Sequence, residues 1–404
     1  MPSELEYCLN TTSCKALIAA ESFRKRDSFQ VLCSVLPEIT ISKPGEIKSS
    51  SGVYKFDDIL QAAGNEKLRE VKELDSKIQF DDPANIQFKS GTTGKPKAAT
   101  LSHFHFINNM VSLSNRMIVP GVKPVDCVPV PLFYSFGCVG GVIAAIIHRK
   151  LAVFPSPFFD PLATLKAIEK ERCTLVMGTP TMFIDIVNHP DVNKFDLTSL
   201  QGALTSASPC SAELWKEVEQ KLGVTNIINA YGSTETSPIS CSTGPGERPD
   251  KKYHTIGTPA DHVEVKIVDK DGRIVPVNKE GELYIRDSLT SLGYWGDKDK
   301  TKEVLNDARW YHTGDIAVMD EDGYVSIVGT IKDMINRGGE SIYPQEVEEF
   351  LHSHPDVAEA QVVGVPDPRL GEKVCAWVKL KCGSTLTETE LRDYCKENVS
   401  IVLI

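Results

Sequence analysis

Between residues 84 and 231, short apolar runs rich in valine and isoleucine alternate with segments whose apolar residues recur at helical spacing. This alternation predicts βαβ units and a largely parallel sheet, because parallel neighbours need a crossover connection between them. The strands are expected at residues 85–88, 151–154, 174–177 and 226–230. Helices are expected over 161–172 and 211–222, the second beginning at a serine cap and ending at Gly223.

The pattern changes beyond residue 260, where strand-like runs are separated by Asp-Gly and other turn signals. Runs at 262–268, 281–286 and 324–328 predict a mostly antiparallel subdomain. A helix over 344–352, strands over 360–365 and 373–381, and a helix from Thr387 then predict a small α+β unit. The predicted fold is therefore an α/β large domain with an antiparallel subdomain, joined near residues 330–332 to a small C-terminal domain.

Charge and cysteine usage exclude several classes of protein. The formal net charge of -11 argues against a broad surface for nucleic acid or anionic lipid, which would need clustered Lys and Arg. The eleven cysteines form no CxxC pair, which favours a reduced compartment such as the cytoplasm and disfavours a zinc site. The apolar stretch 139–147 is too short to cross a bilayer. We therefore expect no transmembrane segment and no nucleic-acid partner.

A glycine-rich loop follows the first predicted strand. It combines backbone N–H groups, hydroxyls and lysines, which together suit a phosphate: Ser90-Gly91-Thr92-Thr93-Gly94-Lys95-Pro96-Lys97. The loop is not a Walker motif, since that needs four residues between its glycines and a Lys-Ser/Thr ending. The alternative to a phosphate loop is an ordinary solvated turn.

This string resembles the phosphate-loop signature of the adenylate-forming (AMP-binding) superfamily, and further motifs follow in that family's order from residue 1 to about 395. The likeness is strongest to mitochondrial medium-chain acyl-CoA synthetases, through residues 178–183, 293–296 and 337–344. The resemblance implies an acid–thiol ligase that uses ATP, Mg²⁺ and CoA to activate a fatty acid through an acyl-adenylate. It also implies a mitochondrial location.

The resemblance assigns roles to individual residues. Thr234 would contact the α-phosphate and Glu235 would hold Mg²⁺, and these two form the predicted catalytic pair. Asp315 would accept hydrogen bonds from the ribose hydroxyls. The remaining predicted ATP-binding residues are the loop 90–97 with Lys89 before it, and the sequence Tyr231-Gly232-Ser233, whose tyrosine would pack on adenine. Taken alone, the loop 90–97 is equally typical of a turn, whereas the segment 231–235 and Asp315 are more typical of a turn than of a site.

Three further features are assigned in the same way. Phe133 and Tyr134 would border the acyl pocket, although aromatic residues at this spacing are also typical of a plain core. Lys332 would be the hinge about which the small domain rotates. Gly338 and Gly339 would lie along the pantetheine arm of CoA, where the lack of side chains permits close approach.

The chain departs from the family pattern at several positions. Thr330 stands where the family has an arginine that contacts the nucleotide, so a charge-assisted contact is expected to be lost. Lys89 stands where Thr or Ser is usual, Ala98 and Ala207 stand where glycine is usual, and Tyr134 stands where histidine is common. We expect the loss at Thr330 to weaken nucleotide binding, the effect of Ala207 to be small, and the charge of Lys89 either to compensate or to clash.

The resemblance also implies family segments outside the printed residues. It leads us to expect an α/β segment before residue 1 and, after Ser400, a motif whose lysine stabilises charge during adenylation. We therefore expect an incomplete AMP-binding N-terminal domain at 1–330 and a truncated C-terminal lid domain at 331–404. A catalytically impaired isoform that binds nucleotide or acyl-CoA stays open beside the active ligase. The oligomeric state is not predicted.

Overall fold

The computed structural model describes residues 2–19, 22–23, 26–27, 56, 64–89, 96–117, 121, 123–337, 340–367 and 371–398. Its chain divides into two compact units. One unit contains Met1–Phe104 and Ser291–Thr301, and the other contains His105–Thr290 and Lys302–Ile404.

The first unit contains a three-stranded antiparallel sheet with β4 in the centre: β3 (Pro83–Lys89), β4 (Lys97–Ser102) and β14 (Gly293–Tyr294). The prediction that residues 85–88 belong to the parallel sheet is wrong, because β3 pairs with β4 in an antiparallel register that places Lys89 opposite Lys97. The other elements of this unit are α1 (Pro2–Thr12), β1 (Ser22–Phe23), β2 (Arg26–Asp27) and α2 (Asn65–Asp75).

The second unit is built on a seven-stranded sheet in the order β11-β10-β9-β8-β7-β5-β6. Its five strands from β9 to β6 run parallel, and β10 and β11 add an antiparallel edge. The strands are β5 (Val125–Cys127), β6 (Leu151–Val153), β7 (Leu175–Gly178), β8 (Gly202–Thr205), β9 (Asn226–Tyr231), β10 (Cys241–Ser242) and β11 (Thr258–Pro259). The predicted parallel sheet and three of its four predicted strands are confirmed.

Helices cover this sheet. They are α3 (His103–Met117), a π-helix (Phe136–Ile143), α4 (Ala144–His148), α5 (Pro161–Glu171), α6 (Pro180–Val187), α7 (Ala212–Leu222) and α8 (Pro249–Lys252), and α9 (Lys298–Val304) follows later in the chain. Local signals define several ends. Ser211 caps α7 by accepting the Leu214 N–H at 3.2 Å, and Gly223 ends it at φ 71°.

Alternate residues of the parallel strands enter two different cores. Ala203 and Ile227 pack with α5, α6 and α7 on one face. Leu204 and Ile228 pack on the other face with α3 and with a second sheet. Because successive strand residues point to opposite faces, burial of both faces gives the continuous apolar runs seen in the sequence.

The second sheet is the predicted antiparallel subdomain. Its strands lie in the order β12 (Glu264–Val268), β13 (Gly281–Arg286), β15 (Tyr311–Met319) and β16 (Val325–Thr330). One face is apolar, with Leu283 and Ile285 fully buried. The opposite face is polar and aromatic, where Tyr284 stacks on His312 with ring centroids 4.0 Å apart.

The last part of the chain forms the predicted small α+β unit. A 3-10 turn (Ile331–Asp333) leads into β17 (Ile335–Arg337) and β18 (Glu340–Ile342), followed by α10 (Pro344–His352), β19 (Val357–Asp367), β20 (Gly371–Leu380) and α11 (Glu388–Asn398). The four strands form an antiparallel sheet with its own apolar core. The proposed domain boundary near residue 330 stays a prediction.

Candidate active site

A cavity of about 550 Å³ lies at the carboxyl ends of β8 and β9. Open α/β sheets place ligands at this edge, because the loops that follow the strands diverge there. Its walls include Tyr231 at the end of β9, Asp315 and Thr330 from the antiparallel sheet, and Gln345 and Glu349 from α10. Residues that are 84 positions apart in the sequence therefore share one cavity.

Asp315 is held by two hydroxyl groups of the protein. The Tyr231 hydroxyl donates to Asp315 Oδ2 at 2.5 Å, and Thr330 Oγ1 donates to Asp315 Oδ1 at 2.9 Å. Burial, followed by the nearby Asp315 carboxylate, raises the pKa of Tyr231 well above its ordinary value. Tyr231 is therefore a neutral hydrogen-bond donor at physiological pH. Its ring is held by the backbone of β9 at one end and by the hydrogen bond to Asp315 at the other.

Glu235 lies in a short 3-10 turn (Thr234–Thr236) directly after β9. Its side chain is only 2% exposed, and the Tyr311 hydroxyl hydrogen-bonds to it. Burial, with the Glu235 carboxylate second, raises the pKa of Tyr311 well above its usual range. A reciprocal capping box between Ser233 and Thr236 fixes the turn.

Two residues of α3 bind backbone carbonyls in the segment that follows β9, and sequence reasoning missed both. Asn109, which is buried, donates to the Ile239 carbonyl at 2.8 Å and to the Thr236 carbonyl at 3.3 Å. Arg116 donates to the Pro259 carbonyl at 2.7 Å. No local pattern marks these positions, because their partners lie more than 120 residues away.

Asn229 forms part of the cavity wall, but all of its amide atoms are already engaged. Its Oδ1 accepts the indole N–H of Trp215 at 2.9 Å, and its Nδ2 donates to the carbonyls of Lys252 and Thr255 at 2.7 and 3.1 Å. This amide joins β9, α7 and the segment after α8, so it fixes the wall before a ligand binds.

Ala207 also lines the cavity and adopts φ 77°, in the left-handed region that glycine adopts without strain. The sequence had singled out this position because glycine is usual there in the resembling family. The structure supplies the physical reason, and the alanine carries a backbone cost on the order of 1 kcal/mol.

The lining of the cavity includes the acids Glu213, Asp315 and Glu349 and one histidine, His254, but among the residues that the structure describes it includes no Lys or Arg. Such a surface suits a neutral group rich in hydrogen-bond donors, such as a nucleoside. It does not suit a phosphate, which needs cations or clustered N–H groups.

The remaining predicted site residues fall elsewhere. Lys89, Pro96 and Lys97 belong to the first unit, where Lys97 lies 5.4 Å from the centre of the Tyr294 ring. Lys332 is exposed in its 3-10 turn. The residues of the predicted loops that fall outside the described part of the chain are Ser90, Gly91, Thr92, Thr93, Gly94, Lys95, Gly338 and Gly339.

Phe133 and Tyr134 lie in a surface turn with their ring centroids 4.4 Å apart. They are 66% and 52% exposed, so neither is the plain core residue of the alternative interpretation. They do not line the 550 Å³ cavity, and their role in an acyl pocket stays a prediction.

No group of three or more potential metal ligands occurs in the described ranges. The absence of such a group does not conflict with Mg²⁺ at Glu235, because this ion is commonly held by one or two carboxylates together with substrate phosphates, and the role of Glu235 stays a prediction. None of the helices within these ranges has the length and hydropathy that a membrane span requires.

Comparison with known proteins identifies the family. Residues 1–295 match the AMP-binding enzyme family, and residues 346–402 match the AMP-binding enzyme C-terminal domain. The chain belongs to the AMP-binding enzyme family. It is 42% identical to a mitochondrial medium-chain acyl-CoA ligase of Danio rerio, over 98% of this chain and 68% of that protein. It is 40% identical to a putative acyl-CoA synthetase of Bacillus subtilis, over 98% of this chain and 75% of that protein.

A solved structure of an acyl-CoA synthetase has the same fold. The o-succinylbenzoate CoA synthetase of Bacillus subtilis, in complex with its acyl-adenylate intermediate, superposes with a TM-score of 0.80 at 25% identity. The match covers 100% of this chain and 76% of the synthetase. These findings confirm the predicted family and fold class. By family, the chain is an adenylate-forming acyl-CoA ligase, and the comparisons give no support to a non-catalytic alternative.

Proposed function

We propose that this protein joins a medium-chain fatty acid to CoA, using ATP, through an acyl-adenylate. The observation that carries the proposal is the pairing of Tyr231 with Asp315 in a cavity whose described lining includes no Lys or Arg. That cavity suits the adenosine of ATP. The medium-chain preference rests on the name of the Danio rerio relative, and a mitochondrial location rests on the same name.

In this proposal, the nucleoside occupies the cavity of the second unit. The Tyr231 ring would pack on adenine, and Asp315 would accept the ribose hydroxyls. Gly232 and Ser233 would border the sugar, and Thr234 would donate its hydroxyl to the α-phosphate. A phosphate-binding role is proposed separately for the glycine-rich loop from Ser90 to Lys97 with Lys89, because lysines and N–H groups suit phosphate.

Two displacement steps follow from this arrangement. A carboxylate oxygen of the fatty acid attacks the α-phosphorus, the bond to the β-phosphate bridging oxygen breaks, and pyrophosphate leaves. The CoA thiolate then attacks the acyl carbonyl carbon, and AMP leaves with the oxygen that joined it to the acyl group. The side chains of the protein act mainly by orienting the reactants and by neutralising charge.

Glu235 would hold Mg²⁺ together with the phosphate oxygens, and the bound ion would neutralise negative charge on the triphosphate. The Tyr311 hydroxyl, which hydrogen-bonds to Glu235, would keep this carboxylate in place. Phe133 and Tyr134 would border the acyl chain. Their exposure is compatible with an entrance for an apolar substrate.

The residues after Thr330 would serve the second step. We propose that Lys332 is the hinge between a domain at 1–330 and a lid at 331–404, and its position in an exposed 3-10 turn between two strands suits such a role. Gly338 and Gly339 would then approach the pantetheine arm of CoA.

The test has two arms. The full chain is given a fatty acid, ATP, Mg²⁺ and CoA, and separately a synthetic medium-chain acyl-AMP with CoA, and acyl-CoA is measured by mass spectrometry. Acyl-CoA in both arms is expected. Formation from acyl-AMP alone would limit the activity to the second step. A folded sample that forms none in either arm would contradict the proposal.

A matched pair of variants connects the activity to the site. Glu235→Gln is expected to lower the rate of the first arm about 100-fold, because it removes the buried carboxylate. Glu280→Gln, an identical change at an exposed position outside the site, is expected to leave it unchanged. Equal rates for the two variants would remove Glu235 from the mechanism.

A further inference from the structure

The position of Thr330 beside Asp315 results from an irregularity in the strand pairing. On β15 and β16, Ala317 is opposite Ile327 and Asp315 is opposite Thr330. Two residues of β15 therefore correspond to three residues of β16, so β16 carries one extra residue. This bulge puts Thr330 on the same face as Ile327, and both line the cavity.

Among the residues that the structure describes, the two hydroxyl groups on Asp315 leave part of its hydrogen-bond acceptor capacity unused. A carboxylate has about four acceptor positions, and Tyr231 and Thr330 each occupy one, on different oxygens. One further donor can bind to each oxygen. Two adjacent hydroxyls, such as those of a ribose, match this remaining capacity, whereas a deoxyribose offers fewer donors.

Thr330 is well suited to hold a carboxylate in one orientation. Its β-branched side chain is restricted at χ1, so the hydroxyl is directed by the strand itself. The residues that line this cavity, all within the described part of the chain, include no Lys or Arg that could compete for Asp315. The orientation of the carboxylate therefore depends on neutral hydroxyl donors.

We propose that Thr330 is a positioning residue that sets the selectivity of the site for ribonucleotides over deoxyribonucleotides. It acts through Asp315, by holding Oδ1 while Tyr231 holds Oδ2, so that both oxygens face the sugar diol. This inference rests on the proposed function, since it takes the nucleoside to bind in this cavity. It gives Thr330 a role other than that of the arginine expected from the family resemblance.

The test measures equilibrium binding to the full chain in the absence of fatty acid and CoA. Titration calorimetry with ATP and with 2′,3′-dideoxy-ATP gives the selectivity as a ratio of the two Kd values. Thr330→Val keeps the shape of the side chain but removes the donor. It is expected to weaken ATP binding about 5- to 20-fold and to change dideoxy-ATP binding less than about 2-fold.

Two controls separate positioning from general damage. Thr330→Ser restores the donor and is expected to keep the selectivity within about 2-fold of the wild type. Thr225→Val removes a similar hydroxyl, which donates to the Gln201 carbonyl at 3.4 Å. Thr225 precedes the first residue of β9, at the end of the strand opposite the cavity, so this variant is expected to change neither Kd.

The outcomes are distinguishable. If Thr330→Val weakens both nucleotides equally or neither of them, or if Thr330→Ser behaves like Thr330→Val, Thr330 does not set the selectivity and the proposed ligase function is unaffected. If the wild-type chain is folded and binds neither nucleotide, the proposed function and this inference both fail.

Discussion

Two ion pairs, one in the seven-stranded sheet and one in the antiparallel sheet β12-β13-β15-β16, connect neighbouring strands but differ in solvent exposure. Lys150 and Asp126 join β5 to the start of β6, with side chains 5% and 2% exposed. Arg286 and Glu264 join β12 to β13, with side chains 39% and 58% exposed. The first sheet is covered on both faces, whereas the second has one polar face. The two ion pairs should therefore contribute very different amounts to the free energy of unfolding.

The largest expected effect comes from Lys150→Met. This change leaves Asp126 buried without its cation, and burial already raises the pKa of Asp126 despite the opposing effect of Lys150. The free energy of unfolding, measured by urea denaturation at neutral pH, should fall by about 3–5 kcal/mol. Adding Asp126→Leu should recover most of the loss. A loss below about 1 kcal/mol for the single variant would contradict the contrast between the two pairs.

The effect of burial on a charge can also be tested at a histidine whose protonated form would be repelled by a nearby arginine. His105 is 5% exposed, and burial, with Arg309 as the second cause, lowers its pKa to about 4. The unfolded chain binds the proton more readily, so stability should fall as the pH drops from about 6.5 to about 4, by about 3 kcal/mol in total. The measurement is urea unfolding as a function of pH. The His105→Gln variant should lack this component of the slope, and an unchanged slope would exclude His105 as its source.

A smaller effect should come from backbone conformation at an exposed position. Ala207→Gly relieves the left-handed conformation at φ 77° and should raise the free energy of unfolding by about 1 kcal/mol. Ala203→Gly is the matched control on the same segment. Ala203 is buried in β8, so its replacement should be destabilising. The same sign for both variants would show that the conformation of Ala207 is not strained.

The smallest expected effect belongs to the exposed ion pair. Glu264→Gln removes the charge opposite Arg286 but keeps Arg286 against the Trp310 ring, 4.6 Å from its centre. The cost should be about 0.5 kcal/mol and should vanish in high salt. A cost above about 2 kcal/mol that persists in high salt would mean that solvent exposure does not separate the two pairs.

The same contrast explains what the sequence could and could not predict about the fold. Strands such as β7 and β9 are buried on both faces, so their apolar composition identifies them as strands. The strand β3 also contains apolar residues, Ile86 and Phe88, but it belongs to another sheet. Its membership depends on pairing with β4, and pairing is a long-range property that a local pattern does not contain.

The candidate site likewise contains some residues that the sequence could predict and others that it could not. The motifs around Tyr231 and Asp315 were recognisable in the sequence, and the structure brings these two residues together. The contact of Thr330 with Asp315 was not predictable, because it depends on one extra residue in β16. Asn109 was not predictable either, because its side chain binds backbone carbonyls, which any residue type could supply.

The engagement of Asn229 has a practical consequence. Its partner Trp215 is fully buried, whereas Trp295 and Trp377 are 39% and 60% exposed. Acrylamide in solution should quench the fluorescence of the exposed indoles first. The emission that remains in the presence of acrylamide would then come largely from buried rings such as that of Trp215. Trp215 is therefore an intrinsic fluorophore that is hydrogen-bonded to Asn229 in the cavity wall. Its emission offers a label-free optical signal for the binding of a ligand in the cavity.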